Sequence, residues 1–308
     1  SIIYLGSILS LIGLFLFGKQ INGAISWYDF GGMTLQPSEF AKFATALALA
    51  KYISDLQTNI KEQKDQIRAA ILVVIPAGLI LLQNDAGSTL VFGSLFFVFY
   101  REGIPQYYLL FAVFVAFLGI ATLKFSAISV SIVLSGVLLM YQLFFKRKKK
   151  KFKGVFTILI CSIGLCLGVQ WAYNNVLQNH QKDRIGLWLR LEKDPNKLQA
   201  MKRNISYNLN ESEKAIRSGG TFGKGFMDGT RTKGKFVPEQ HTDYIFTTVG
   251  EEWGFLGSSF VIMLFVLFLL RIIQIAERQK LKFSRVYGYS IAAIFFIHFR
   301  KSTSRRFG

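Results

Sequence analysis

Cysteine, proline and acidic side chains are all scarce in this sequence. Only 2 of its 308 residues are Cys and 5 are Pro. Two cysteines cannot form a disulfide framework. Both, Cys161 and Cys166, fall inside one apolar segment, where a small thiol packs as a hydrophobe against helix or lipid. Asp plus Glu number 18 against 37 Lys plus Arg, so the net charge is 37 − 18 = +19. The chain opens on Ser1 rather than Met and shows no signal peptide, which predicts a piece of a longer protein.

The abundant residues decide what that charge means. Hydrophobic residues make up 51% of the chain, 30 residues are Phe, and mean hydropathy is +0.35. A disordered chain lacks this apolar content, and a soluble nucleic-acid binder lacks the long apolar runs, so nucleic acid is not an expected partner. High hydropathy with excess Lys and Arg fits a polytopic membrane protein with basic cytoplasmic loops.

A bilayer span takes about 20 mainly apolar residues. Candidates are Ser1–Phe17, Phe40–Ile53, Ala69–Leu82, Thr89–Tyr100, Tyr107–Leu123, Ser126–Phe145, Gly154–Trp171, Phe255–Leu270 and Val286–Phe299, the last decaying into a polar tail. In hydrocarbon each backbone polar group must bond internally, so these are helices. The expected fold is an all-α polytopic membrane protein with eight to nine transmembrane helices. Residues 146–153, almost solid Lys and Arg, mark a basic cytoplasmic loop. Alternation then places 55–68 and 271–285 inside. It places 19–38 (the first outer loop), the Asn84-Asp85 turn and a large extracytoplasmic loop at 172–252 outside. Arg184–Arg190 in that loop, with Trp188, predicts an interfacial segment. The glycine-rich stretch from Gly219 to Gly234 predicts turns and close backbone approach.

Ionisable residues at membrane depth are costly and tend to line a cavity. Glu39 and Lys42 are three residues apart and share a helical face. Asp85 precedes Ser88 and is either an N-cap or a cavity residue. Glu251 and Glu252 precede the eighth span, where acids suit a helix N-terminus. Glu239, His241 and Asp243 alternate in Val237–Phe246, a set able to do acid–base work but without metal-ligand spacing. Lys224 sits in Gly219-Gly-Thr-Phe-Gly-Lys-Gly225, which fails as a phosphate loop because Gly225 stands where Ser or Thr is needed.

Four blocks together resemble the RodA/FtsW (SEDS) family of bacterial cell-wall polymerases. They are Asn22–Trp27 with Leu35–Lys42, Gln83–Thr89, Ser218–Gly225 with Gly229-Thr230, and Pro238–Phe246 with Glu251–Gly257. The Gly-Thr pair ahead of Phe236 is closer to the elongation member, RodA, than to the division member, FtsW. The resemblance implies one SEDS-type membrane domain over 1–308, in the bacterial cytoplasmic membrane. It implies a peptidoglycan glycosyltransferase that polymerises lipid II on the outer side and releases undecaprenyl diphosphate. Asp243 is then the general base, Lys42 a cation for the donor diphosphate, and Glu39 its orienting partner or an acceptor contact. Gln36, Trp27 and Asp85 become cavity residues. Arg217, Lys224, Arg231, His241 and Glu239 become substrate contacts. A divalent cation, Mg or Mn, is the one expected cofactor, and a class B penicillin-binding transpeptidase and membrane lipids are expected partners. A precursor flippase and a non-catalytic scaffold are the alternatives. The chain departs from the family in three ways. Its match begins at what would be the third of ten spans, the terminal Ser-Tyr-Gly-Gly helix is absent, and Tyr107–Phe145 forms an extra hairpin.

Overall fold

A computed structural model of the chain describes residues 2–21, 23–31, 33–144, 151–175, 177, 179–189, 191, 194, 207–234, 236 and 245–304. The described chain is helical at all nine expected spans. It divides into two compact units: residues 1–106, 216–229 and 241–304 form the first, and 107–215, 230–240 and 305–308 the second.

The first unit opens with α1 (Ile2–Phe17). Three short strands follow, β1 (Lys19–Ile21), β2 (Ala24–Asp29) and β3 (Thr34–Leu35), paired antiparallel in the order β1-β2-β3. The helical expectation did not include them. Their signal was the Asn22-Gly23 pair: Ile21 pairs with Ala24, and Gly23 has φ +85°, the left-handed backbone that a two-residue hairpin connection requires. Ile25 N donates to Gln83 O at 3.0 Å, and the buried Gln83 amide donates to Leu11 O at 2.8 Å. These two bonds fasten the sheet and α1 to the turn before Asp85.

Next come α2 (Pro37–Ser54), α3 (Gln63–Leu82), α4 (Ala86–Gly93) and α5 (Leu95–Arg101). Proline at the start of α2 has no N–H to lose there. Pro76 lies within α3 without ending it. The expected single span at Thr89–Tyr100 is instead two helices meeting at Ser94. A Gly-Ser pair is a common kink site, and the Ser94 hydroxyl donates back to Val91 O at 2.7 Å.

Helix α2 is the hub of this unit. Ala41, Ala44, Ala46, Ala48 and Ala50 are all buried, as are Leu49 and Ile53, and small residues let neighbouring helices approach closely. The core adds Leu11 and Leu14 of α1, Ile80 of α3, Val91 of α4 and Leu95 of α5.

In the second unit α6 (Tyr107–Phe125), α7 (Ala127–Phe144) and α8 (Lys151–Asn175) pack around Leu118, Ala127, Val130 and Cys166. Ser126, at φ +74°, makes the tight turn of the expected hairpin. Outward residues such as Leu110, Phe117, Ile128 and Ile132 stay exposed, as lipid-facing side chains do. Residues 145–150, most of the basic loop, lie outside the described residues.

Within the large loop lie α9 (Asn179–Leu189), α10 (Tyr207–Ser218), α11 (Thr230–Lys233) and α12 (Ile245–Glu252). The chain then runs through α13 (Gly254–Arg278) and α14 (Lys282–Ser304), which returns to the first unit and supplies Val286 and Ile294 to its core. The tail expected to decay after Phe299 stays helical to Ser304.

By length and composition, the segments at 63–82, 107–125, 156–175 and 254–278 are able to cross a membrane, and Ile2–Phe17, Ala86–Arg101 and Ala127–Leu138 are shorter apolar helices. The candidate span at Phe40–Ile53, in α2, is not among these, because its lysines and Glu39 lower the mean hydropathy while its alanines are buried in protein.

Candidate functional site

The hub helix carries a charged group into the interior. Lys42 is 1% exposed, at a depth where an unpaired ammonium would be costly. One helical turn earlier, Glu39 accepts from Lys42 Nζ through Oε1 at 2.7 Å. From α14, His298 brings Nε2 to 2.6 Å from the same nitrogen and 3.8 Å from Glu39 Oε2. An ammonium has only donors, so with Lys42 charged the imidazole Nε2 is the acceptor of this bond. Glu39 and His298 are both partly exposed. The triad therefore joins a buried cation to an accessible face.

Beside the start of α2, Gln36 donates from Nε2 to Asp85 Oδ2 at 3.0 Å. Asp85 caps α4, its Oδ1 accepting from Ser88 N at 2.9 Å. Of the two readings of Asp85 the structure shows the N-cap: one oxygen caps α4 and the other holds Gln36. Trp27 lies in β2, half-buried, opposite Lys19.

The third and fourth sequence blocks meet in the same unit. The glycine-rich run after α10 lies against the turn joining α12 to α13. Lys224 N donates to Glu251 O at 3.1 Å, Gly225 N to Glu252 O at 3.0 Å, Phe255 N to Gly220 O at 2.9 Å and Leu256 N to Thr221 O at 3.1 Å. Two glycines make this possible. A Cβ on Gly223 (φ +83°) would lie 2.1 Å from Glu252 O, and one on Gly254 (φ +63°) would lie 2.4 Å from Gly223 N.

Glu251 behaves differently from its sequence expectation. It ends α12 rather than starting α13, and it is fully buried. Its Oε1 accepts from Lys224 Nζ at 2.8 Å and from Ser218 Oγ at 3.3 Å. Lys224 therefore holds the loop down with its side chain as well as its backbone. Arg217 is exposed in the last turn of α10.

In the second unit, nearly buried Glu211 accepts from Lys214 at 2.7 Å and from Arg231. Arg231 also lies 6.0 Å from the centroid of the Phe236 ring. Glu211, Lys214, Thr230, Arg231 and Phe236 line a cavity of about 510 Å³. Glu239, His241 and Asp243 lie outside the described residues. Among those described, no three His, Cys, Asp or Glu gather as a metal site.

The first unit thus holds a buried lysine bonded to a carboxylate one turn away and, separately, a glycine-rich segment clamped to the turn before α13. The FtsW/RodA/SpoVE family, described as cell cycle protein, matches residues 1–142 and 128–301. The chain belongs to this family. Peptidoglycan glycosyltransferase RodA of Treponema pallidum is 29% identical over 322 residues, covering 97% of this chain and 72% of that protein. Peptidoglycan glycosyltransferase MrdB of Escherichia coli is 27% identical over 296 residues, covering 96% of this chain and 65% of that protein. Among solved structures, a chain from a peptidoglycan synthase complex aligns with a TM-score of 0.64 at 23% identity, covering 99% of this chain and 69% of its own length. A mutant of the rod shape determining protein RodA from Thermus thermophilus aligns at 0.54 and 20%, covering 99% and 65%. These two matches show the shared fold, a polytopic helical membrane protein.

Sequence reasoning had paired Glu39 with Lys42 through their spacing. It missed His298, which is 256 residues from Lys42 and sits where the apolar run gives way to polar residues. It also missed the Glu251–Lys224 pair, whose partners belong to separate blocks.

Proposed function

We propose that this chain carries the polymerising site of a peptidoglycan glycosyltransferase that uses lipid II as donor and acceptor. The observation that carries the reading is Lys42, a lysine buried in the interior with its Nζ against Glu39 and His298. In the reaction, the acceptor sugar's 4-hydroxyl attacks the anomeric carbon of the donor. The bond to the lipid diphosphate breaks, and the hydroxyl proton passes to a base. Charge develops on the departing diphosphate, and a fixed ammonium in a dry site stabilises it more than water does. Glu39 and His298 orient that ammonium. Asp243 is the base in this reading, supported by the Pro238–Phe246 pattern. Gln36, Asp85 and Trp27 shape the mouth at the start of α2. The clamp at Glu251–Lys224 anchors one end of the loop that carries Asp243. A Mg or Mn ion would enter as the diphosphate's own counter-ion.

Orientation in the bacterial cytoplasmic membrane follows the Lys/Arg asymmetry, with residues 172–252 outside. A class B penicillin-binding transpeptidase is the proposed partner, supported by the structural likeness to a chain of a synthase complex. Elongation rather than division is the proposed process, on the residues ahead of Phe236.

The test is polymerisation of purified lipid II by the full-length protein. Asp243→Asn and Lys42→Met should each lower glycan formation about a hundredfold or more at unchanged membrane levels. Normal polymer from both variants would overturn the reading. Movement of labelled lipid II across vesicles without polymer would support transport instead, and transpeptidase binding with neither activity would support a scaffold.

A further inference from the structure

The hairpin of α13 and α14 carries a groove that the polymerising reaction does not use. Ile272, Ile275 and Ala276 of α13 and Phe283, Tyr287 and Gly288 of α14 line a mainly apolar cavity of about 310 Å³, with Gln279, Ser284 and the Tyr287 hydroxyl as its polar side-chain groups. The two helices come close because small residues meet: a Cβ on Gly288 would lie 2.7 Å from that of Ala276. The rings of Phe283 and Tyr287 lie parallel, 6.3 Å apart. The groove sits where the apolar segment at 254–278 ends, the level at which a bilayer changes from hydrocarbon to headgroup.

Charge is concentrated at the same place. Arg101 pairs with Glu277 at 2.9 Å, and Arg285 pairs with the nearly buried Glu102 at 3.1 Å. Those pairs use both acids. Arg271, Arg278, Lys280 and Lys282 have no carboxylate partner among the described residues. Between Lys280 and Lys282, Leu281 is 70% exposed. An apolar tip flanked by cations suits a headgroup boundary, where Lys and Arg reach the phosphates and Leu the hydrocarbon.

We propose that this groove binds an anionic phospholipid, with one acyl chain along Ile275 and Phe283 and its phosphate on Arg278, Lys280 and Lys282. A basic pocket between membrane helices is a recurrent setting for anionic headgroups. A protein partner would have to bring both an apolar segment and acids to this level of the membrane. A lipid carries both in one molecule and is already there.

The experiment titrates the full chain in neutral detergent with phosphatidylglycerol, phosphatidylcholine or free glycerol phosphate, and follows the melting temperature. Phosphatidylglycerol should raise it in a saturable way, phosphatidylcholine much less, and glycerol phosphate not at all. The triple variant Arg278→Gln, Lys280→Gln, Lys282→Gln should melt normally without lipid and shift its half-saturation about a hundredfold, at roughly fivefold for each of the three surface charges. Ile275→Trp, which fills the groove and leaves the charges, should remove the phosphatidylglycerol shift. Equal shifts with the two lipids, an unchanged half-saturation in the triple variant, or a glycerol phosphate shift as large as the lipid's would each overturn the proposal.

Discussion

Lys42 shows how a single side chain ties sequence to chemistry. Its ammonium is out of contact with water and donates to Glu39 and His298, so each partner removed leaves a buried donor short of an acceptor. A hydrogen bond to a charged group contributes about 1.5–3 kcal/mol. His298→Phe should therefore cut lipid II polymerisation roughly tenfold or more, and His298→Gln, which keeps an acceptor at a similar reach, should restore most of it. Equal loss in both variants would show that His298 serves packing alone. Glu251 poses the complementary case of a buried anion. Lys224→Met takes the ammonium away from its carboxylate, and breaking a buried pair in this way costs about 3–5 kcal/mol. The double variant Lys224→Met, Glu251→Leu should recover much of that in thermal melting, because the buried anion is removed together with its cation. Only part of this was legible beforehand. Spacing of three along a helix revealed Glu39 with Lys42, since local geometry is written into local sequence. His298 and Glu251 find their partners through tertiary packing, which no periodicity records.

At the scale of elements, hydropathy succeeded where water is absent and failed where it is present. Each apolar run became a helix because hydrocarbon offers the backbone no other partner. The loop at 19–38 is free of that constraint and formed strands instead, which the Asn22-Gly23 pair could have signalled. The break at Ser94 followed from a Gly-Ser pair inside an apolar run, a local feature that average hydropathy smooths over. The glycine-rich clamp is the element most exposed to mutation. Gly223→Ala would drive a Cβ into the carbonyl of Glu252 from a left-handed backbone position, and Gly254→Ala would do the same against the backbone of Gly223. Either should free the 219–225 segment, seen as much faster limited proteolysis there and loss of polymerising activity. By contrast, Gly136→Ala and Gly164→Ala add a methyl in helices where nothing lies within 4 Å. They should be neutral or raise stability by up to about 1 kcal/mol. Indifference of the clamp to both substitutions would mean that the close approach of 219–225 to 250–257 is not needed for activity.

For the whole molecule, the excess of 37 basic over 18 acidic residues has separable uses. Some cations hold the fold together through Glu211, Glu251 and Glu102. Lys42 serves the proposed site. In the proposed orientation the others, in 146–153 and 271–285, have a topological use, on the cytoplasmic side. That assignment can be checked in cells. Cys161 and Cys166 are the only thiols in the chain, so replacing them with Ser and Ala gives a background in which one new Cys reports its own side. Asp228→Cys, in the exposed part of the large loop, should react with a membrane-impermeant maleimide in intact spheroplasts. Lys280→Cys, at the tip between α13 and α14, should react only after permeabilisation. The two positions are separated by a single membrane-length segment, 254–278, so they cannot lie on the same side if that segment spans. Labelling of both in intact spheroplasts would show that α13 does not cross. Labelling of Lys280→Cys alone would show that it crosses in the opposite sense, and it would place the glycine clamp, and with it the proposed chemistry, on the wrong face of the membrane for a polymer built outside the cell.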